Sequence, residues 1–173
     1  MVILRRCMLL SFLLVSWPCI AAEAHVHGVA TLQIAVDGKT LQLNLESPLH
    51  SLLGFEHAPR TEKQKAAVME MENQLRQAGR LFRPTAAAGC SLKSVKLDSL
   101  VLASDQSPEH GVHDHADLEG EFIFECAHPN ELRDIEVKIF DAFPGLKSLK
   151  TEAATPRGQR AAKLTAAKRR IDW

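Results

Sequence analysis

Residues 29–47 read VATLQIAVDGKTLQLNLES, two runs that alternate apolar and polar side chains around a single Asp-Gly step. Ala30, Leu32, Ile34 and Val36 share one face of the first run. Leu41, Leu43 and Leu45 share one face of the second. A period of two fits extended chain with one buried side, and Asp37-Gly38 supplies the residues that a tight antiparallel turn needs. The pattern predicts a β-hairpin with one face in a core.

The segment SPLHSLLGFEHAP follows, with Pro48, Gly54 and Pro59 interrupting regular structure. Thr61 is placed to cap a helix with Glu62 in its first turn. Val68, Met71, Leu75, Ala78 and Phe82 recur at steps of three and four, which predicts one helix running to RPTAAAG, its apolar face on the sheet. Strands are expected again from Cys90. Val95 and Leu97 are followed out of phase by Leu100 and Leu102, which predicts a bulge or bend near Ser99. Phe122, Phe124 and Cys126 share a face, and Ile135, Val137 and Ile139 alternate. DAFPGLKSL reads as a compact turn, and SLKTEAAT and QRAAKLTAAKRR as final strands, the latter with helix as its alternative. The fold class expected is α+β: a mainly antiparallel β-sheet with one long amphipathic helix packed on it.

The first 24 residues have the layout of a secretory signal peptide: Arg5-Arg6, the apolar run CMLLSFLLVSW, and the small residues of AEA at Ala22–Ala24. The run is too short to span a bilayer, which argues against a membrane anchor. Cleavage is expected after Ala24, with Ala22 as the second choice, leaving one domain over residues 25–173. Those 149 residues suffice for a single core. Lys and Arg then fall from 21 to 19 and Asp and Glu from 21 to 20, a net charge of −1. That balance offers nucleic acid no bulk attraction. Cys7 and Cys19 leave with the leader. Cys90 and Cys126 remain, and an even pair in an exported chain reads as one disulfide, with paired thiolate ligands as the rival reading.

Chemistry concentrates in SPEHGVHDHADLEGE, residues 107–121, part of a His/acidic loop at about residues 105–119. His110, His113 and His115 lie within six residues, flanked by Glu109, Asp114 and Asp117. Between Leu97 and Leu132 there are nine acids, four histidines and no lysine or arginine. Such a field attracts cations, and neutral imidazoles with carboxylates suit zinc, copper or nickel. A solvated surface loop is the alternative. A second cluster is HVHG. Cleavage at either site leaves a histidine, His27 or His25, third from a free amine, a pattern that favours square-planar Cu(II) or Ni(II). His57, in GFEHAP, is read first as a structural histidine and second as a ligand. His128 reads as a turn residue with lesser ligand potential, and Glu109 is a lesser ligand candidate beside Asp114 and Asp117. His50 has no partner nearby in sequence. No nucleophile elbow, H-E-x-x-H or phosphate loop is present, so no enzymatic activity is expected.

AHVHGVATLQIAVDGKTLQLNLESP, then GFEHAP, then EKQKAAV, resembles the opening of the ZrgA-like family, and the resemblance continues through Cys90, Cys126, FPGL and GQRAAKLT. It implies a non-enzymatic, zinc-regulated periplasmic protein that binds zinc and supports its uptake. The implied partner is the solute-binding component of a zinc ABC importer, and the implied metal region is the loop of His110, His113 and His115. Family members often carry a much longer His/Asp/Glu run there. The other readings are a copper or nickel binder acting through the N-terminal histidines, and an interaction module whose histidines are incidental.

Overall fold

A computed structural model describes residues 26–102 and 117–173. β1 (Val29–Asp37) and β2 (Thr40–Pro48) form the expected hairpin, with Asp37 opposite Thr40 and Gly38 at φ 56°, a left-handed conformation that glycine adopts freely. Ala30, Leu32, Ile34, Leu41, Leu43 and Leu45 are all buried. β2 continues into the short helix α1 (Leu49–Leu53), which Gly54 ends in a left-handed cap by donating its N–H to the His50 carbonyl.

β4 (Cys90–Asp98) and β5 (Asp117–Cys126) form a second antiparallel ribbon, and β5 docks along β2. On the other side, β7 (Ser148–Thr155) lies parallel to β1 and carries β8 (Gly158–Thr165) at its outer edge. The larger sheet has the order β4-β5-β2-β1-β7-β8. A smaller sheet joins β3 (Phe82–Pro84), β6 (Asp134–Val137) and β9 (Arg170–Asp172), with β6 in the centre. A single apolar cluster unites the inner faces of both sheets with Met71 and Leu75 of α2 (Glu62–Arg76) and with Ile139 and Phe140 of α4 (Ile139–Ala142). Among the described residues no helix is long and apolar enough to cross a membrane.

The expected fold class is corrected in its long helix. Strands hold 47% of the described residues and helices 25%, and only one helical segment, α2, reaches seven residues. α2 begins as anticipated, with Thr61 and Gln64 exchanging a reciprocal capping box. It stops at Gln77, whose ψ of 38° leaves the helical region. Ala78–Leu81 forms a separate turn, α3, and Phe82 enters β3. Val68, Met71, Leu75, Ala78 and Phe82 are indeed buried, but on three elements rather than one long helix. The competing interaction is tertiary: Lys138 donates its N–H to the Leu81 carbonyl, and Phe82 pairs with Val137. These ladder contacts replace the hydrogen bonds of a continued helix. The strand pairing is mainly antiparallel, as expected, with a parallel contact between β1 and β7. Leu100 and Leu102 lie in a turn beyond β4, and the irregular register falls earlier, between Leu92 and Ser94.

Cys90 sits directly opposite Cys126, and the two are disulfide-bonded. The other end of the ribbon, Asp98 and Asp117, is where the histidine-bearing connection leaves and returns. The disulfide and these roots are separated by about 30 Å of β5.

Candidate metal centre

His110, His113, His115, Asp114, Glu109 and His25 lie outside the described residues, so the structure is informative about their surroundings. Ser99 closes the root of the loop by donating its hydroxyl to the Asp117 carbonyl at 2.8 Å. On the outer face beside that root, Glu46 is directly opposite Glu119, and Glu119 is directly opposite Asp98. Three carboxylates therefore stand in adjacent cross-strand positions, an arrangement that is destabilising without a counter-charge. They border a shallow depression also lined by Thr31, Gln33, Asn44, Lys96 and Glu121.

The cation-free span of the sequence is only partly acidic in space. β4 brings Lys93 to within 3.1 Å of Glu125 and sets Lys96 opposite Glu121. Negative charge is left concentrated at the loop end of the ribbon. Glu46, which belongs to that row, is distant in sequence from the other two. Only the pairing of β2 with β5 reveals it.

The N-terminal histidine lies at the same end of the sheet. β1 starts two residues after His27, and β2 ends two residues before His50. The β1–β2 pairing ends at Thr31 and Glu46, and the turn of α1 after Pro48 brings His50 beside His27. Their rings stack with centroids 4.1 Å apart and planes 11° from parallel. Beyond the Gly54 cap the chain turns back, and Glu56 places Oε1 3.0 Å from His27 Nε2. Two of these three residues escaped the sequence reading, which found no partner for His50 and gave Glu56 no role. The hairpin register gave no signal for it, because the chain leaves the strand for α1 at Leu49.

Backbone contacts hold the triad in place. Gly28 donates its N–H to Ser51 Oγ at 2.9 Å, and its carbonyl accepts from the N–H groups of Lys147 and Ser148 at the start of β7. Gly28 has φ 82°, and a Cβ there would lie 3.0 Å from Lys147 Cγ, so both conformation and space call for glycine. Gly145 is tighter still, because its added Cβ would come within 2.5 Å of the Ser51 carbonyl oxygen. Gly145→Ala is expected to cost about 1–3 kcal/mol through forced backbone displacement and to disturb the stacking of His50 on His27. Chemical denaturation and the NMR shifts of the two imidazoles measure these effects. An unchanged midpoint with unchanged ring shifts would contradict this account of the contact.

His57 directs Nδ1 to the Ala58 carbonyl at 2.9 Å and lies against Phe55, with ring centroids 5.3 Å apart. His128 precedes a 3-10 turn beside Cys126, at the disulfide end of the sheet. It is thus a strand's length away from His27 and from the loop roots. Cys90 and Cys126 have their sulfurs in the disulfide, which removes the thiolate reading. The clearest shift of an ionisable group lies elsewhere: a hydrogen bond from Arg169 holds the Asp141 carboxyl below its ordinary value.

Among the described residues no three His, Cys, Asp or Glu side chains converge on a single point as they stand. Stacking explains this for the histidines. Imidazole lone pairs lie in the ring plane, so an ion in the plane of one ring is well outside the plane of the other.

His27, His50 and the carboxylates of Glu46, Glu119 and Asp98 thus lie at one end of the sheet, and the bonded sulfurs at the other. The family model for ZrgA family zinc uptake proteins matches residues 24–173, and the chain belongs to that family. None of the curated proteins compared with the chain matches it.

Proposed function

We propose that the chain is a periplasmic accessory protein that binds Zn(II) and passes it to the solute-binding component of a zinc ABC importer, after removal of residues 1–24 as a signal peptide. Membership of a zinc uptake family supports the cargo and the process. The observation that carries the site is the Glu46–Glu119–Asp98 row beside the roots of the loop that bears His110, His113 and His115. Carboxylates at that root raise the local concentration of a dication, and two or three loop imidazoles with Asp114 or Asp117 supply zinc's preferred donors. His27, at that end of the sheet, and His25, two positions before it in sequence, are a second set of donors. Ordering a loop around an ion costs conformational entropy, which keeps affinity moderate and release possible. Moderate affinity suits a protein that gives its cargo to a tighter binder.

Zinc titration of the processed, untagged chain against a His110→Ala, His113→Ala, His115→Ala variant tests this reading. The variant is expected to fold normally, to bind less zinc, and to support poorer growth only under zinc starvation. Binding by the unaltered chain should weaken as pH falls through about 6.5, where free imidazoles take up protons that compete with the metal. Full affinity and stoichiometry in the variant would remove the loop as the site. Preference for copper or nickel over zinc in a competition titration would favour the N-terminal reading instead.

A further inference from the structure

We propose that His27, Glu56 and His50 form a zinc site within the folded domain, separate from the loop. The choice of zinc rests on the functional reading above, whereas the ligands follow from the geometry where the β1–β2 hairpin meets α1. The α1 turn at the end of β2 stacks His50 on His27, and the Gly54 cap returns the chain so that Glu56 meets His27. Neither His50 nor Glu56 is needed for the core. His50 is half-buried, and the side chains of His27 and Glu56 are 57% and 40% exposed, so an ion has access from solvent.

The distances fit with little movement. Zinc bonds of about 2.0–2.1 Å to nitrogen and 2.0–2.2 Å to oxygen, at a tetrahedral angle, separate the two donor atoms by about 3.3 Å. His27 Nε2 and Glu56 Oε1 already stand 3.0 Å apart. An ion entering between them displaces the hydrogen-bonded proton and opens the pair by a few tenths of an ångström. His50 is the third donor. Its ring is parallel to that of His27 and must rotate about its side-chain torsions to turn a lone pair toward the ion. Losing that stack is the reorganisation the site demands, and solvent completes the coordination.

The surrounding backbone is already fixed. Ser51, next to His50, accepts the Gly28 N–H, next to His27, so both histidines hang from one buried hydrogen bond. The cation of the neighbouring Lys147 is engaged by the Pro144 carbonyl at 2.6 Å. This site has two of its three donors preassembled.

The test is zinc titration, with Co(II) absorption as a second readout of tetrahedral geometry, on the processed full chain lacking the three loop histidines. Into that background are placed His50→Ala and, separately, Glu56→Gln, which preserves shape and removes the negative charge. The expected result is one remaining zinc per chain, bound at least about tenfold more weakly in each variant, since loss of even an outer partner of a ligand costs about 10–100-fold. Circular dichroism and thermal unfolding without metal should be unchanged, which separates a ligand role from a structural one. Equal binding in both variants would overturn the proposal and pass the remaining ion to His25 or His57. Absence of zinc binding in the loop-deficient background would also overturn it while leaving the loop reading intact. The loop reading itself is judged by comparing that background with the unaltered chain.

Discussion

Replacing Cys90 and Cys126 together by serine lowers stability by about 2–4 kcal/mol and leaves zinc affinity unchanged. The two residues are 36 positions apart, and closing a loop of that length removes up to about 4 kcal/mol of entropy from the unfolded chain. Cys126 is buried, so the serine at that position adds the cost of an ill-matched hydroxyl. The disulfide joins the base of a ribbon whose other end carries the loop, with about 30 Å of strand between. Its loss therefore acts on the unfolded ensemble rather than on ligand geometry. Denaturant midpoints with and without reductant, together with zinc titration of the variant under native conditions, check both halves. A large fall in zinc affinity with little change in midpoint would mean that the ribbon transmits its closure to the site.

Phe122→Ala is expected to cost about 3–5 kcal/mol, a large part of the 5–15 kcal/mol typical of a domain. Phe122 is fully buried on β5 and meets Phe82 of the smaller sheet with ring centroids 5.2 Å apart and planes at 49°. The side chain thus contributes transfer energy, packing between the two sheets and a tilted aromatic pair. It also fills the space that Gly120 leaves open, since a Cβ there would approach Phe122 Cζ to 2.9 Å. Truncation opens a cavity walled by two sheets, which cannot easily collapse. Phe122→Leu, which keeps most of the volume, should cost much less. Urea unfolding of both variants measures the difference. Equal losses for Ala and Leu would show that the ring geometry, rather than filled volume, carries the stability.

The sequence by itself determined the features set by neighbours along the chain. The hairpin of β1 and β2 was legible because alternation and an Asp-Gly turn are local signals, and the cap at Thr61 was legible for the same reason. The Cys90–Cys126 pairing was expected from the even pair of cysteines left beyond residue 24, and the structure sets the two opposite each other at one end of the β4–β5 ribbon. The spacing of Val68 through Phe82 identified buried positions correctly. It could not show that the helix ends at Gln77, because that depends on β6, which lies some fifty residues later and offers Phe82 a strand partner. The parallel contact of β1 with β7 was likewise hidden, since it joins segments more than a hundred residues apart.

At the candidate sites the division is the same. The expectation for the histidine-rich loop rests on composition alone, and its histidines lie outside the described residues. The row of Glu46, Glu119 and Asp98 exists only because β2 and β4 flank β5, and the same pairing supplies Lys93 and Lys96 to acids that look unopposed in sequence. The meeting of His27 with His50 depends on the α1 turn that follows β2, and the approach of Glu56 on the reversal at Gly54. Local propensity fixes which residues are extended, capped or turned. Which charges and imidazoles become neighbours is decided by strand order, because a sheet places side chains a few ångströms apart whatever their distance along the chain.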